Sequence, residues 1–197
     1  MFENTKDAKY MDVLERALYN GVISGMSLDG RKFFYVNPLE VLPEACEKDQ
    51  NKRHVKYERQ KWFGCACCPP NVARILSSLG AYAYQESDDT VFMSLFVGGS
   101  FNACLGGKSN RFTVTTDYPW DKTVNVKVVS LEKAEFCYAV RIPGWCADYA
   151  VKINGQPVKG TVDKGYLYLN RVWSEGDEIE ITLEMPVELI AANPRIR

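Results

Sequence analysis

The sequence predicts a mainly β protein: an antiparallel β-sandwich preceded by a partial α-helical segment. Two observations carry this reading. Beyond Gly80 apolar residues recur at every second position through a series of short runs, and turn signals separate the runs at hairpin-like intervals. Before Gly80 the apolar period is that of a helix, interrupted by a long polar stretch. The expected division is therefore residues 1–80, helical in character, and residues 81–197, a β-sandwich.

From Asp7 to about Gly25, Tyr10, Met11, Leu14, Leu18 and Val22 recur at helical spacing, with Asp12, Glu15 and Arg16 on the other face. That is an amphipathic helix. Phe33 to Asn37 reads as a short extended segment closed by Pro38. Residues 44–61 are rich in Lys, Arg, Glu and Gln and predict an exposed loop. A second helical face, Val72, Ile75, Leu76 and Leu79, predicts a helix from Asn71 to Leu79, with Pro69-Pro70 as a turn before it. Strands are expected at 90–97, 100–105, 111–116, 123–129, 136–142, 149–153, 166–169 and 178–184. Gly98-Gly99, Gly106-Gly107, Pro143-Gly144, Asn154-Gly155 and Glu175-Gly176-Asp177 supply the turns.

The chain has 197 residues, enough for one sizeable core, and 46% of them are apolar, which argues against disorder. A net charge of −1 with both signs interspersed leaves no basic face for nucleic acid. No apolar stretch approaches a membrane span, and Met1 to Asp7 is too polar for a signal peptide. If Met1 is a natural start, a cytoplasmic location is expected. The thin helical portion and the unclosed tail, Met185 to Arg197, lead us to expect that both ends are cut from a longer protein.

Chemistry concentrates at Cys65-Ala66-Cys67-Cys68-Pro69-Pro70-Asn71, where three thiols fall within four residues. Adjacent cysteines are poor disulfide partners, because one trans peptide holds their Cα atoms about 3.8 Å apart. Two adjacent thiolates can bind a soft metal such as zinc, or one can bind while its neighbour reacts. Inert structural thiols are the competing reading, since so short a cluster cannot supply all four ligands of a structural zinc. Seven cysteines form no regular framework, and a reduced chain is expected. Cys104 and Cys137 lie in apolar alternating runs and are expected to be buried, whereas Cys46 falls in a charged loop and Cys146 at a turn. The sole histidine, His54, stands among Lys52, Arg53 and Lys56 and reads as solvated. Trp120 and Trp145 are expected to pack within the sandwich, and Asn71 and Arg74 to cap and brace the helix behind the thiols.

The segment Trp62 to Arg74, WFGCACCPPNVAR, resembles the cysteine motif of glycoside hydrolase family 127, the β-L-arabinofuranosidases. Its flanks agree in order: Lys9 to Gly21, Phe33 to Leu39, Thr116 to Asp121 and Arg141 to Cys146. The similarity covers essentially the whole chain. It implies a zinc-dependent retaining glycosidase with an (α/α)₆ barrel followed by β-sandwich domains, so that residues 1–80 would be a remnant of the barrel. It further implies that Cys67 is both nucleophile and zinc ligand, that Cys68 is a further ligand, and that Tyr35 contacts the sugar. The family's remaining ligands, a Glu-x-Cys pair, and its glutamate acid/base would precede the segment matching Asp7 to Gly25. Glu40 and Glu44, the acids nearest the cluster in sequence, are not expected to replace that acid/base, and Cys65 is expected to have a surface or packing role rather than to be a third ligand.

The function expected is thus that of a fragment of an enzyme acting on L-arabinofuranoside-containing glycans or glycosides, with one zinc ion in the complete enzyme and no activity alone. Two other readings remain open: a non-catalytic β-sandwich carbohydrate-binding or interaction module with relic cysteines, and a small autonomous zinc protein using Cys65, Cys67 and Cys68. Apolar surface on Leu14, Leu18, Val22 and Leu76 would favour a homo-oligomer, because its burial contributes about 25 cal/mol per Å².

Overall fold

The computed structural model describes residues 1–37, 41–52, 54–65 and 67–195. Pro38, expected to close an extended segment, and Glu40 lie outside the described residues. The chain divides into two compact units, one formed by Met1–Lys9 with Ala83–Arg197 and the other by Tyr10–Tyr82.

The first unit is a sandwich of two sheets, and the prediction of a mainly β architecture is realised in it. Its strands are β1 (Tyr84–Ser87), β2 (Thr90–Met93), β3 (Gly99–Leu105), β4 (Lys108–Thr116), β5 (Thr123–Leu131) and β6 (Glu135–Arg141). They continue with β7 (Tyr149–Ile153), β8 (Gln156–Pro157), β9 (Thr161–Asp163), β10 (Tyr166–Val172) and β11 (Glu178–Leu183). One sheet runs β1-β2-β6-β10-β9 and the other β3-β4-β5-β11-β7-β8. Every pairing is antiparallel except β2 with β6.

Strict alternation sets which face is buried. Val124, Val126 and Val128 of β5 and Ile179, Ile181 and Leu183 of β11 point inward, while Asn125 and Lys127 are exposed. Against them the other sheet presents Tyr138 and Val140 of β6 with Leu167 and Leu169 of β10. Strand β6 is buried along nearly its whole length, on both faces. A short helix, α1 (Phe2–Thr5), contributes to the outer face of its sheet, where the Phe2 ring meets Phe92 and Tyr166 at 5.6 Å each.

Turn chemistry closes the hairpins as the sequence suggests. Gly106-Gly107 and Asn154-Gly155 both carry positive φ at two consecutive residues, the signature of a type I′ turn. Lys164-Gly165 does the same between β9 and β10 and has no counterpart in the sequence reading. Gly98-Gly99 joins no hairpin: β2 and β3 belong to different sheets, so the chain crosses the sandwich there. The buried Asn110 side chain is satisfied by the loop it closes. The Asn110 amide donates to the Lys133 carbonyl at 2.8 Å, and its oxygen accepts from Glu132 N and Lys133 N.

Two expectations are corrected here. Cys104 is exposed, not buried, because Ala103 and Leu105 face the core and the pleat turns the residue between them outward. Cys137 is buried as expected, and burial pushes its thiol up to about 11. Trp145 packs against the core, but Trp120 is 92% exposed at the tip of the β4–β5 connection.

The second unit begins within α2 (Lys9–Ala17), which continues as a π-turn over Leu18–Val22 and a 3₁₀ turn over Ile23–Gly25. The predicted helix is therefore present but changes pitch. Side chains compete for its carbonyls near the glycine: Ser24 Oγ donates to Asn20 O at 2.6 Å and Asn37 Nδ2 to Gly21 O at 3.0 Å. Of the apolar residues expected to be exposed, Leu18 is buried and Leu76 is exposed. The region read as a loop contains α3 (Pro43–Lys48) and a 3₁₀ turn over Gln50–Lys52. Proline at the start of α3 makes it readable in retrospect. Helix α4 spans Cys68–Ser77 and α5 spans Leu79–Ala83.

Among the described residues the fully buried Tyr138 hydroxyl has no hydrogen-bond partner. An unsatisfied buried hydroxyl costs about 1–3 kcal/mol. Tyr138→Phe is therefore expected to be neutral or stabilising by about 1 kcal/mol in urea unfolding, and a loss of more than about 1 kcal/mol would contradict the assignment.

Candidate active site

The thiol cluster sits at the start of α4. The helix begins at Cys68, three residues earlier than expected, with Cys67 as its N-cap and both prolines inside its first turn. The reason is that the first N–H groups of a helix have no intrahelical acceptor, so proline sacrifices nothing there. The Cys67 side chain makes no capping bond, which leaves its sulfur available. Asn71 and Arg74 brace this turn rather than cap it. The Asn71 side-chain amide donates to the Cys67 carbonyl at 2.8 Å, and the Arg74 guanidinium donates to Asn71 Oδ1 at 3.3 Å.

Tyr35 reaches the cluster through a backbone pairing far along the chain. Phe33 and Gln60 exchange two backbone hydrogen bonds of 2.9 and 3.0 Å, which lays residues 33–35 beside residues 60–63. Phe63 then packs against both Phe33 and Tyr35, at 5.1 and 5.7 Å between ring centroids. Arg59 secures the same segment by donating to the Ser24 carbonyl at 2.6 Å while lying over the Phe34 ring.

The structure thus brings together Tyr35, Cys65, Cys67 and Cys68. The Cys67 and Cys68 sulfurs are 3.9 Å apart; Cys65 and Cys67 are exposed and Cys68 is half-buried. Their protonation is linked. Hydrogen bonds from the backbone and thiol of Cys67, helped by the Tyr35 phenol, hold Cys65 below the ordinary thiol range against a small burial penalty. Cys67 is raised, first by its hydrogen bonds with Cys65 and Cys68, then by burial and by their charges. Tyr35 is raised chiefly by the charges of Cys65 and Cys67. In the thiol cluster by itself, Cys65 ionises ahead of Cys67.

Two thiolates on one tetrahedral zinc, each about 2.3 Å from the metal, stand about 3.8 Å apart. The Cys67–Cys68 pair fits that spacing. Among the described residues, however, no group of three or more His, Cys, Asp or Glu side chains is placed to hold a metal. Cys65 does not complete such a set, and neither does Glu44-Ala45-Cys46, a Glu-x-Cys triplet that the sequence reading passed over and that lies on α3. Glu44 instead pairs with Lys48 at 3.2 Å, and His54 is exposed. The residues present therefore fit two positions of a four-ligand zinc site. Sequence reasoning also missed a cleft of about 770 Å³ lined by Phe33, Phe34, Trp62, Cys68, Val72 and Leu76. Its sequence signal was the aromatic runs Phe33-Phe34-Tyr35 and Trp62-Phe63.

The chain matches the GH127 catalytic domain of β-L-arabinofuranosidases over residues 1–81 and the GH127 middle domain over residues 90–185. Along its whole length it is 38% identical to the non-reducing end β-L-arabinofuranosidase of Bifidobacterium longum subsp. longum, covering 30% of that protein. It superposes on a GH127 β-L-arabinofuranosidase from Geobacillus stearothermophilus T6 with a TM-score of 0.90 at 52% identity, over 100% of this chain and 31% of that one. A second GH127 β-arabinofuranosidase gives 0.85 at 38% identity, over 99% of this chain and 31% of that one. With both domain matches falling in one family, the chain belongs to glycoside hydrolase family 127, the β-L-arabinofuranosidases, and spans about 30% of the length of these relatives.

Proposed function

We propose that the chain forms part of a zinc-dependent retaining glycosidase that releases β-L-arabinofuranose from arabinofuranoside-containing glycans. Cys67 is its nucleophile and a zinc ligand, Cys68 is a further ligand, and Tyr35 contacts the sugar. The observation that carries this reading is the Cys67–Cys68 pair at the start of α4, with its sulfurs 3.9 Å apart and beside the Tyr35 phenol. The family membership gives the pair its chemical context.

The Cys67 sulfur attacks the anomeric carbon and displaces the aglycone oxygen, which takes a proton from a carboxylic acid. The sugar is then held on Cys67 as a thioglycoside. Water attacks the same carbon, gives its proton to the carboxylate, and the Cys67 thiolate departs. Two inversions at one carbon retain configuration. Tyr35 can donate its phenolic hydrogen to a sugar hydroxyl and orient the ring. Asn71 and Arg74 hold the Cys67 peptide, so that the sulfur approaches from a fixed direction. Zinc, held by Cys67 and Cys68, would supply the positive charge that favours the Cys67 thiolate, whose ionisation its neighbours otherwise suppress, and would steady the departing thiolate. The two further ligands and the carboxyl acid/base come from the sequence that precedes the matching segment in the longer relatives. The 197-residue chain alone is expected to be inactive.

The test joins this chain behind the preceding region of the Geobacillus relative and follows hydrolysis of an aryl β-L-arabinofuranoside. Cys67→Ser is expected to lower kcat/KM by roughly 10³-fold or more, the scale of losing a nucleophile. Cys104→Ser, on the outer face of β3, is expected to leave it unchanged. Turnover near the parent level in Cys67→Ser would overturn the assignment of Cys67 as the nucleophile.

A further inference from the structure

Cys67 and Cys68 offer only half of a tetrahedral zinc site, yet two adjacent sulfurs are a complete ligand set for a soft electrophile of lower coordination number. We propose that this pair is a binding site for trivalent organoarsenicals of the type R–As=O, taking one per chain. The inference does not rest on the zinc reading, although bound zinc would compete for the same two sulfurs.

Three features of the structure support it. The sulfurs lie 3.9 Å apart on consecutive residues, so a single bridging atom reaches both without moving the backbone. They are accessible: Cys67 is exposed, Cys68 is half-buried, and the Cys67 side chain is not engaged in capping the helix. The other cysteines outside the cluster are dispersed over separate elements. Cys46 is on α3, Cys104 faces outward from β3, Cys137 is buried in β6, and the Cys146 thiol donates to the Asp148 carbonyl at 3.0 Å. None of these four is an adjacent thiol pair in the sequence.

The same adjacency works against a disulfide and for an arsenic bridge. A direct S–S bond must draw the two sulfurs to bonding distance across one trans peptide, which holds the Cα atoms closer than bridged cysteines prefer. Inserting one atom enlarges the ring and lets the sulfurs stay near their present separation. In the condensation the As=O double bond of R–As=O and two S–H bonds break, and two As–S bonds form. The oxygen leaves as water carrying both thiol protons. Arsenic remains trivalent, and no oxidant or reductant is needed. The organic group occupies arsenic's third position, so Cys65 is not required.

The experiment treats the reduced 197-residue chain with phenylarsine oxide, adds excess 2-mercaptoethanol, and measures intact mass. One phenylarsenic per chain, in place of two hydrogens, is expected to survive the monothiol and to be removed by 2,3-dimercaptopropanol. Peptide mapping of the wild-type adduct should place arsenic on the peptide carrying Cys67 and Cys68, independently of any variant. Cys67→Ala and Cys68→Ala should each lose the monothiol-resistant adduct, and Cys65→Ala should retain it. The proposal is overturned by no resistant adduct in the wild type, by arsenic mapping to another peptide, by persistence in Cys67→Ala or Cys68→Ala, or by its loss in Cys65→Ala.

Discussion

A chain of aromatic contacts couples the two sheets, and the β unit is organised around it. Tyr84 of β1 stacks on Phe101 of β3, with centroids 3.9 Å apart and planes within 7°. Phe101 stacks on Phe112 of β4 at 5.1 Å, and Phe112 crosses back to Phe136 and Tyr138 of β6 at 5.8 and 5.6 Å. Phe136 then stacks on Trp173, whose indole N–H donates to the Phe136 carbonyl at 3.1 Å. Such pairs contribute about 0.5–1.5 kcal/mol each beyond the area they bury. Because Tyr84–Phe101 and Phe112–Phe136 cross between the sheets, a one-residue slip of β5 and its neighbours would break the chain and turn the valine row of β5 outward.

The thiol-bearing unit is held by different means. Its order rests on individual hydrogen bonds and ring contacts: Phe33 with Gln60, Arg59 with the Ser24 carbonyl, Asn71 with the Cys67 carbonyl. Each fixes a piece of backbone that carries a site residue. Within this unit Cys67 and Trp62 stand exposed. A reactive thiol needs such access, whereas Cys137, sealed in β6, is kept protonated by its surroundings. The same polypeptide therefore shows the two fates of a cysteine, decided by burial.

Much of the sandwich was legible because strands such as β4, β5 and β11 bury one face only. Val124, Val126 and Val128 announce β5, and Gly106-Gly107 announces the turn before β4. Strands β8 and β9, of two and three residues, are too short to show a period, and β1 follows α5 without any breaker. Cys104 was misread because its apolar neighbours suggested burial, although parity with Ala103 and Leu105 already placed it outside. At the site, adjacency made the Cys67–Cys68 pair visible from sequence alone. The approach of Tyr35 was not visible in periodicity, because it depends on a pairing between Phe33 and Gln60, distant in sequence. It could be anticipated only through the family resemblance. The early start of α4 was missed by treating Pro69 and Pro70 as a helix barrier rather than as first-turn residues.

The central proposal is that this chain carries the nucleophile and two of the four ligands of a zinc site. Elemental analysis of the reduced chain, after passage over a chelating resin, tests it most directly. The account predicts well below one zinc per chain, because two thiolates without further ligands hold the ion weakly. One zinc retained per chain would contradict it, and would mean that local residues complete the site on their own.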